Sequence, residues 1–148
     1  MQDTATRVDF YVLESASRPE RLNFVCRLTE TAYKAGNTIY LLAATSSEAM
    51  ELNKLLWTFK DDGFVPHNLS GDSHQTSAPI MIGHEQPASK EYGLIINLAN
   101  PVPANFDRFP RIAEIIDAST TVRQSGRQRF TQYRAAGIEP DTHKIGGN

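Results

Sequence analysis

The sequence predicts an α/β fold, a mostly parallel sheet with helices on both faces. Short apolar runs alternate with segments of helical periodicity along the chain. Those runs are apolar at nearly every position, as in parallel strands covered on both sides, rather than alternating as in a half-exposed sheet. Helix starts follow the first two runs: Ser17 with Glu20, and Thr45 with Glu48, stand at capping-box spacing.

In chain order, residues 8–13 (VDFYVL) form the first strand. Ser17, Pro19 and Glu20 open a helix with Leu22, Val25, Thr29, Ala32 and Tyr33 on one side, and Gly36 stops it. Residues 38–43 (TIYLLA) are a second buried strand. The Thr45 capping box opens a helix reaching about Phe59. Residues 64–69 (FVPHNL) are a short strand or extended segment, which Pro66 confines to a sheet edge. Polar loops at 70–79 and 86–91 bracket a short strand at 80–82. Residues 94–98 (LIINL) are a fully apolar strand, residues 100–103 break the chain, and a short helix covers 105–109. Residues 111–118 fit strand or helix. Strand is favoured, because a helix follows from about Thr120 to Ala136 and stops at Gly137. Pro140 and the Gly146-Gly147 end read as a loose tail, which leaves one domain with its core at about residues 6–144.

A chain of 148 residues fits one domain with a real hydrophobic core. A net charge of -2 argues against a non-specific nucleic-acid binder. The single cysteine, Cys26, lies in a helical pattern and reads as a buried structural thiol. No apolar run approaches the roughly 18 residues that cross a bilayer, and residues 1–6 carry no signal-peptide core. These features predict a reduced, cytoplasmic protein without a membrane partner.

Folds of this class often bind nucleotides, but the phosphate loops are missing. Leu13-Glu14-Ser15-Ala16 stands where a glycine-rich turn would follow the first strand, and no Walker A sequence occurs. There is no nucleophile elbow. His67, His74, His84 and Asp72 match no zinc spacing, so we expect no metal site. A strand at Glu114 and Asp117 would point these carboxylates to opposite faces, which argues against paired acid–base work. No catalytic residue is expected.

Two surfaces are in surplus. In the helix from Thr45, Ala49, Leu52, Leu55, Leu56 and Phe59 share the core stripe. Trp57 falls about 140° from the centre of that stripe, beside Met50. Either the helix persists and Trp57 faces outward near Phe64, Val65 and Pro66, or it ends near Leu56 and Trp57 turns inward. In the last helix no acidic side chain occurs between Ala118 and Tyr133. Arg123, Arg127, Phe130 and Arg134 lie on one face at i, i+4, i+7 and i+11, and Arg129 adds a fourth arginine without a lysine among them. Arginine suits bidentate binding of carboxylate or phosphate. The face fits a phosphate chain, a nucleic acid or an acidic peptide, or else a solvated cationic surface with one core aromatic.

Leu56-Trp57, the Phe64-Val65-Pro66-His67-Asn68-Leu69 run with Gly71 after it, Ala78-Pro79, and Tyr133-Arg134 with Ala136-Gly137 resemble the chi subunit of bacterial DNA polymerase III. The resemblance covers roughly residues 6–144. It implies a Rossmann-like domain without nucleotide binding, catalysis or cofactor. It also implies two partners: the psi subunit, which tethers the chain to the clamp loader, and the acidic C-terminal tail of single-stranded DNA-binding protein (SSB), through which it meets DNA. Carried over by position, the psi contact centres on Trp57, Phe64, Val65 and Pro66. The tail site uses Ile116, Arg123, Arg127, Phe130, Arg134 and Gly137. The tail ends in an aromatic residue with a free carboxylate. Arg127 is the first choice to clamp that carboxylate, Phe130 and Ile116 to line a ring pocket, and Arg123 and Arg134 to meet upstream aspartates. Phe130 stands where the family has tyrosine, and Thr131 where it can have a basic residue. The rival readings are a direct single-stranded DNA binder and a divergent nucleotide-dependent enzyme.

Overall fold

A computed structural model of the chain describes residues 6–58, 67–69, 79–85, 92–99, 102–103 and 106–146. Among these residues, seven strands form one sheet: β1 (Arg7–Leu13), β2 (Ile39–Leu42), β3 (His67–Leu69), β4 (Ile80–Gly83), β5 (Leu94–Asn97), β6 (Arg111–Ile116) and β7 (Asp141–Ile145). Their spatial order is β3-β4-β2-β5-β6-β1-β7, and every neighbouring pair is parallel. The α/β class expected from the apolar runs is the class observed. β3 sits at one edge of the sheet, where the Pro66 signal placed it.

The helices are α1 (Arg18–Lys34), α2 (Ser46–Thr58) and α3 (Thr120–Ala135), with a short 3-10 turn at Phe106–Arg108. Alternate strand residues face opposite layers. Ile39 and Leu41 pack with Leu22, Val25 and Cys26 of α1 and Leu52 and Leu56 of α2. Tyr40 and Leu42 belong to a second cluster with Ile112, Ile116 and Tyr133, so α3 covers the other face. Cys26 is wholly buried, and burial pushes its thiol up to about 12, so it stays protonated.

The caps explain the helix bounds. The Ser17 side chain accepts from the Glu20 amide at 3.3 Å. Thr45 accepts from the Glu48 amide at 3.1 Å, while the Glu48 carboxylate accepts from the Ala44 amide at 2.8 Å. Gly36 and Gly137 both have positive φ and close the same C-terminal motif. Gly36 N–H bonds Tyr33 O and Asn37 N–H bonds Ala32 O; Gly137 N–H bonds Arg134 O and Ile138 N–H bonds Tyr133 O.

The C-terminal stretch corrects one expectation. From Pro140 onward the sequence reads as a loose tail, yet Asp141–Ile145 pairs in parallel with β1 along its length. The strand offers no apolar run because it is an edge strand. Side-chain contacts help to dock it: His143 lies 2.9 Å from the Asp9 carboxylate and stacks on Tyr11 with centroids 4.9 Å apart. Burial raises the Asp9 carboxyl, but its hydrogen bonds to His143 and Arg111 and the charges of Arg111 and Arg7 outweigh that. Its pKa lies below the usual carboxylate value.

Candidate functional site

α3 carries the chain from β6 to β7 across β1, which lies between them in the sheet. A groove of about 630 Å³ opens along one side of this helix. Its floor is the α3-facing side of β1, at Phe10 and Val12, with Glu14 just past the strand at its rim. Ile116, the β6 partner of Val12, closes one side. Thr142 and Lys144 of β7, the partners of Phe10 and Val12, form the other. The helix contributes Arg123, Gly126, Arg127, Phe130 and Thr131, spaced i, i+3, i+4, i+7 and i+8, which is one helical face. α3 runs antiparallel to the strands, so Arg123 lies near the C-terminal ends of β1 and β6, and Phe130 lies deeper over Phe10. The rings of Phe10 and Phe130 are 5.1 Å apart.

The reverse side of α3 is tied down by a buried polar network. Glu114 of β6 is fully buried. Its carboxylate accepts from Arg129 Nε at 2.9 Å, Tyr133 Oη at 2.7 Å and Asn97 Nδ2 at 3.0 Å. Arg129 also donates to Ser125 Oγ at 2.7 Å. Burial pushes the Glu114 carboxyl above the ordinary glutamate range, opposed by the Arg129 charge and the hydrogen bonds from Tyr133, Asn97 and Arg129. Burial, then the Glu114 charge and hydrogen bond, also raise the Tyr133 phenol. Tyr133 is therefore no surface stacking residue, and Arg129 is no surface cation.

Four of the six residues expected at the tail site line the groove: Ile116, Arg123, Arg127 and Phe130. Two do not. Arg134 lies one turn beyond Phe130, exposed, with its guanidinium 3.4 Å from Glu139. Gly137 is the positive-φ residue that ends α3, so the helix terminus accounts for it. Phe10, Val12, Glu14, Gly126, Thr142 and Lys144 were not among the expected site residues. Lys144 followed from a basic residue two positions beyond Thr142 only once that stretch is a strand.

The cations of the groove are not neutralised from within. Among the described residues, Arg123, Arg127 and Lys144 make no ion pair, and Arg123 Nε is buried without a hydrogen-bond partner. One carboxylate, Glu14, shares the groove wall. The arrangement offers cations above an apolar floor, which suits an anionic ligand carrying an apolar group.

On the opposite layer, α2 stays helical through Thr58, so the backbone at Trp57 continues the turn pattern that contains Met50, two turns earlier. Met50 is 62% exposed, the one large exposed hydrophobic residue among those described. Phe64, Val65 and Pro66 lie outside the described residues. No helix among the described residues is long and apolar enough to cross a membrane, and none of their histidine, cysteine and carboxylate side chains form a metal-binding group of three.

Comparison with known proteins agrees with this fold and shows the family. The solved structure titled "The crystal structure of T4 UvsW" shares the fold with a TM-score of 0.64 at 8% identity, over 97% of this chain and 42% of that one. "DNA polymerase III subunit chi" of Pseudomonas aeruginosa is 36% identical over 140 residues, covering 95% of this chain and 97% of the relative. The protein of the same name from Escherichia coli K12 is 25% identical over 138 residues, covering 90% and 94%. The profile described as "DNA polymerase III chi subunit, HolC" matches residues 5–141. On that match and the near-complete alignment with the Pseudomonas protein, the chain belongs to the DNA polymerase III chi subunit family.

Proposed function

We propose that this chain is a non-catalytic replication adaptor that needs no cofactor. It grips the acidic C-terminal tail of SSB in the groove beside α3, and it binds the psi subunit through a second surface around Trp57, Phe64, Val65 and Pro66. It thereby links the SSB-coated lagging strand to the clamp loader. The observation that carries the tail reading is the pairing of three un-neutralised cations, Arg123, Arg127 and Lys144, with an apolar floor of Phe10, Val12, Ile116 and Phe130.

The groove refines the assignment of roles. Arg127 is exposed, whereas Arg123 is half-buried and its Nε lacks a partner. Beside the apolar floor, a charge-assisted bond to the half-buried Arg123 guanidinium is screened by water less than one to the exposed Arg127. Arg123 therefore takes the terminal carboxylate in preference to Arg127. Arg127 and Lys144 meet the upstream acidic residues, and Phe130 with Ile116 receives the aromatic ring. Arg134, paired with Glu139, contributes little. For psi, the exposed Met50 and the helical backbone at Trp57 support a contact surface on α2.

Direct single-stranded DNA binding is the weaker reading. It needs several stacking aromatics along a basic groove. Tyr133 is buried, which leaves Phe130 as the aromatic on the helix's groove face.

Immobilised SSB tail peptide and immobilised psi test both surfaces in one pull-down. The unsubstituted chain is expected on both supports. Trp57→Ala is expected to lose psi and keep the tail. Equal loss from both supports contradicts two separate surfaces. Capture by a bare oligonucleotide in place of the tail peptide contradicts the adaptor reading.

A further inference from the structure

Gly126 occupies the middle of α3, where glycine is less favourable than alanine by roughly 1 kcal/mol. Its φ is not positive, so no turn or cap requires it. What it provides is close approach. A Cβ at this position would lie 2.7 Å from Ile116 Cδ1, 3.3 Å from its Cγ1 and 3.7 Å from its Cγ2. All three contacts are with one side chain, and that side chain lines the groove. The helix rests on Ile116 with nothing between them.

Cδ1 is the far end of the isoleucine, so a side chain at 126 displaces it by rotation rather than by moving backbone. Ile116 is otherwise packed in the cluster with Val8, Phe10, Ile112 and Tyr133. The open volume beside it is the groove. A methyl group at 126 thus drives Ile116 toward Val12 and Phe130, across the space that would take a ring.

We infer that Gly126 is the specificity-determining residue of the groove: its missing side chain sets the width of the apolar slot between Ile116 and Phe130 and so admits an aromatic C-terminal residue. This rests on the acidic-peptide reading above. It concerns which terminal residue is accepted, not whether a peptide binds.

The test uses the full chain and two acidic peptides that differ only in the last residue, phenylalanine or valine. The unsubstituted chain is expected to prefer the phenylalanine peptide about tenfold or more. Gly126→Ala is expected to keep or raise the urea midpoint. It weakens the phenylalanine peptide about tenfold and changes the valine peptide less than about twofold. Adding Ile116→Val removes Cδ1, the atom in conflict, and is expected to restore most of the preference. Unchanged phenylalanine-peptide affinity in Gly126→Ala overturns the inference, as does equal weakening of both peptides. If Gly126→Ala fails to fold, Ile116→Val alone decides: a widened slot must bind a tryptophan-ended peptide more tightly than the unsubstituted chain does, and no gain overturns the inference. Failure of the unsubstituted chain to bind either peptide refutes the acidic-peptide reading itself, and this inference with it.

Discussion

Replacing Glu114 with alanine is expected to cost about 3–5 kcal/mol of folding stability, because it leaves the Arg129 guanidinium buried without its countercharge. The residue does more than pair with arginine. One carboxylate receives Arg129, Tyr133 and Asn97, so three donors lose their acceptor together. Domains of this size are stable by only about 5–15 kcal/mol, so the loss is a large share of the total. Urea unfolding followed by circular dichroism reads it as a fall in midpoint with little change in slope. Exchanging the pair for apolar residues, Glu114→Leu with Arg129→Met, is expected to recover the part due to the stranded guanidinium but not the part due to the lost Tyr133 and Asn97 bonds. A single-substitution cost below about 1 kcal/mol contradicts the network's role. The same network fixes how α3 lies on the sheet: Arg129 and Tyr133 face Glu114 while Arg123, Arg127 and Phe130 line the groove.

Deleting the last residue of the SSB tail peptide is expected to reduce binding by a hundredfold or more. A micromolar complex has about 8 kcal/mol of binding free energy. Ion pairs at an exposed rim contribute about 0–1 kcal/mol each, so Arg127 and Lys144 cannot supply most of it. Burying a phenyl ring against Phe10, Ile116 and Phe130 contributes about 1.5–3 kcal/mol. A charge-assisted bond to the half-buried Arg123 guanidinium contributes about 1.5–3 kcal/mol more. Truncation removes the ring and shifts the carboxylate together. Raising the salt from low to moderate concentration, by contrast, weakens binding only several-fold, because screening acts on the exposed pairs. Anisotropy titrations with the full and truncated peptides separate the two. Binding that survives truncation but disappears with salt contradicts the groove account.

The sequence made the sheet and helices legible because their signals are local. Apolar runs such as 38–43 and 94–98 read as strands buried on both faces, and Thr45 with Glu48 marks a helix start without any tertiary knowledge. β7 was hidden for the opposite reason. As an edge strand it buries little apolar surface, and one of its anchors, His143 on Asp9, joins residues at opposite ends of the chain. With β7 unread, one whole wall of the groove, Thr142 and Lys144, was out of reach. Helical spacing did put Arg123, Arg127 and Phe130 on one face, which lines the groove, but it could not tell them from their neighbours on the same helix. Arg129 is withdrawn by a carboxylate in β6, Arg134 is engaged by Glu139, and Gly137 serves the helix end. Charge and period are written along the chain; which cations remain free is decided by the fold.

The central claim is that the groove beside α3, and not the cationic helix as a whole, holds the acidic tail. Titrating the labelled SSB tail peptide with the unsubstituted chain, Arg123→Ala, Phe130→Ala and Arg134→Ala tests it most directly. The account predicts tenfold or greater weakening for Arg123→Ala at unchanged thermal stability, tenfold or greater weakening for Phe130→Ala in a variant that stays folded but melts lower because its ring packs on Phe10, and less than about twofold for Arg134→Ala. Equal weakening by Arg134→Ala and Arg123→Ala, or full affinity in Phe130→Ala, would contradict it.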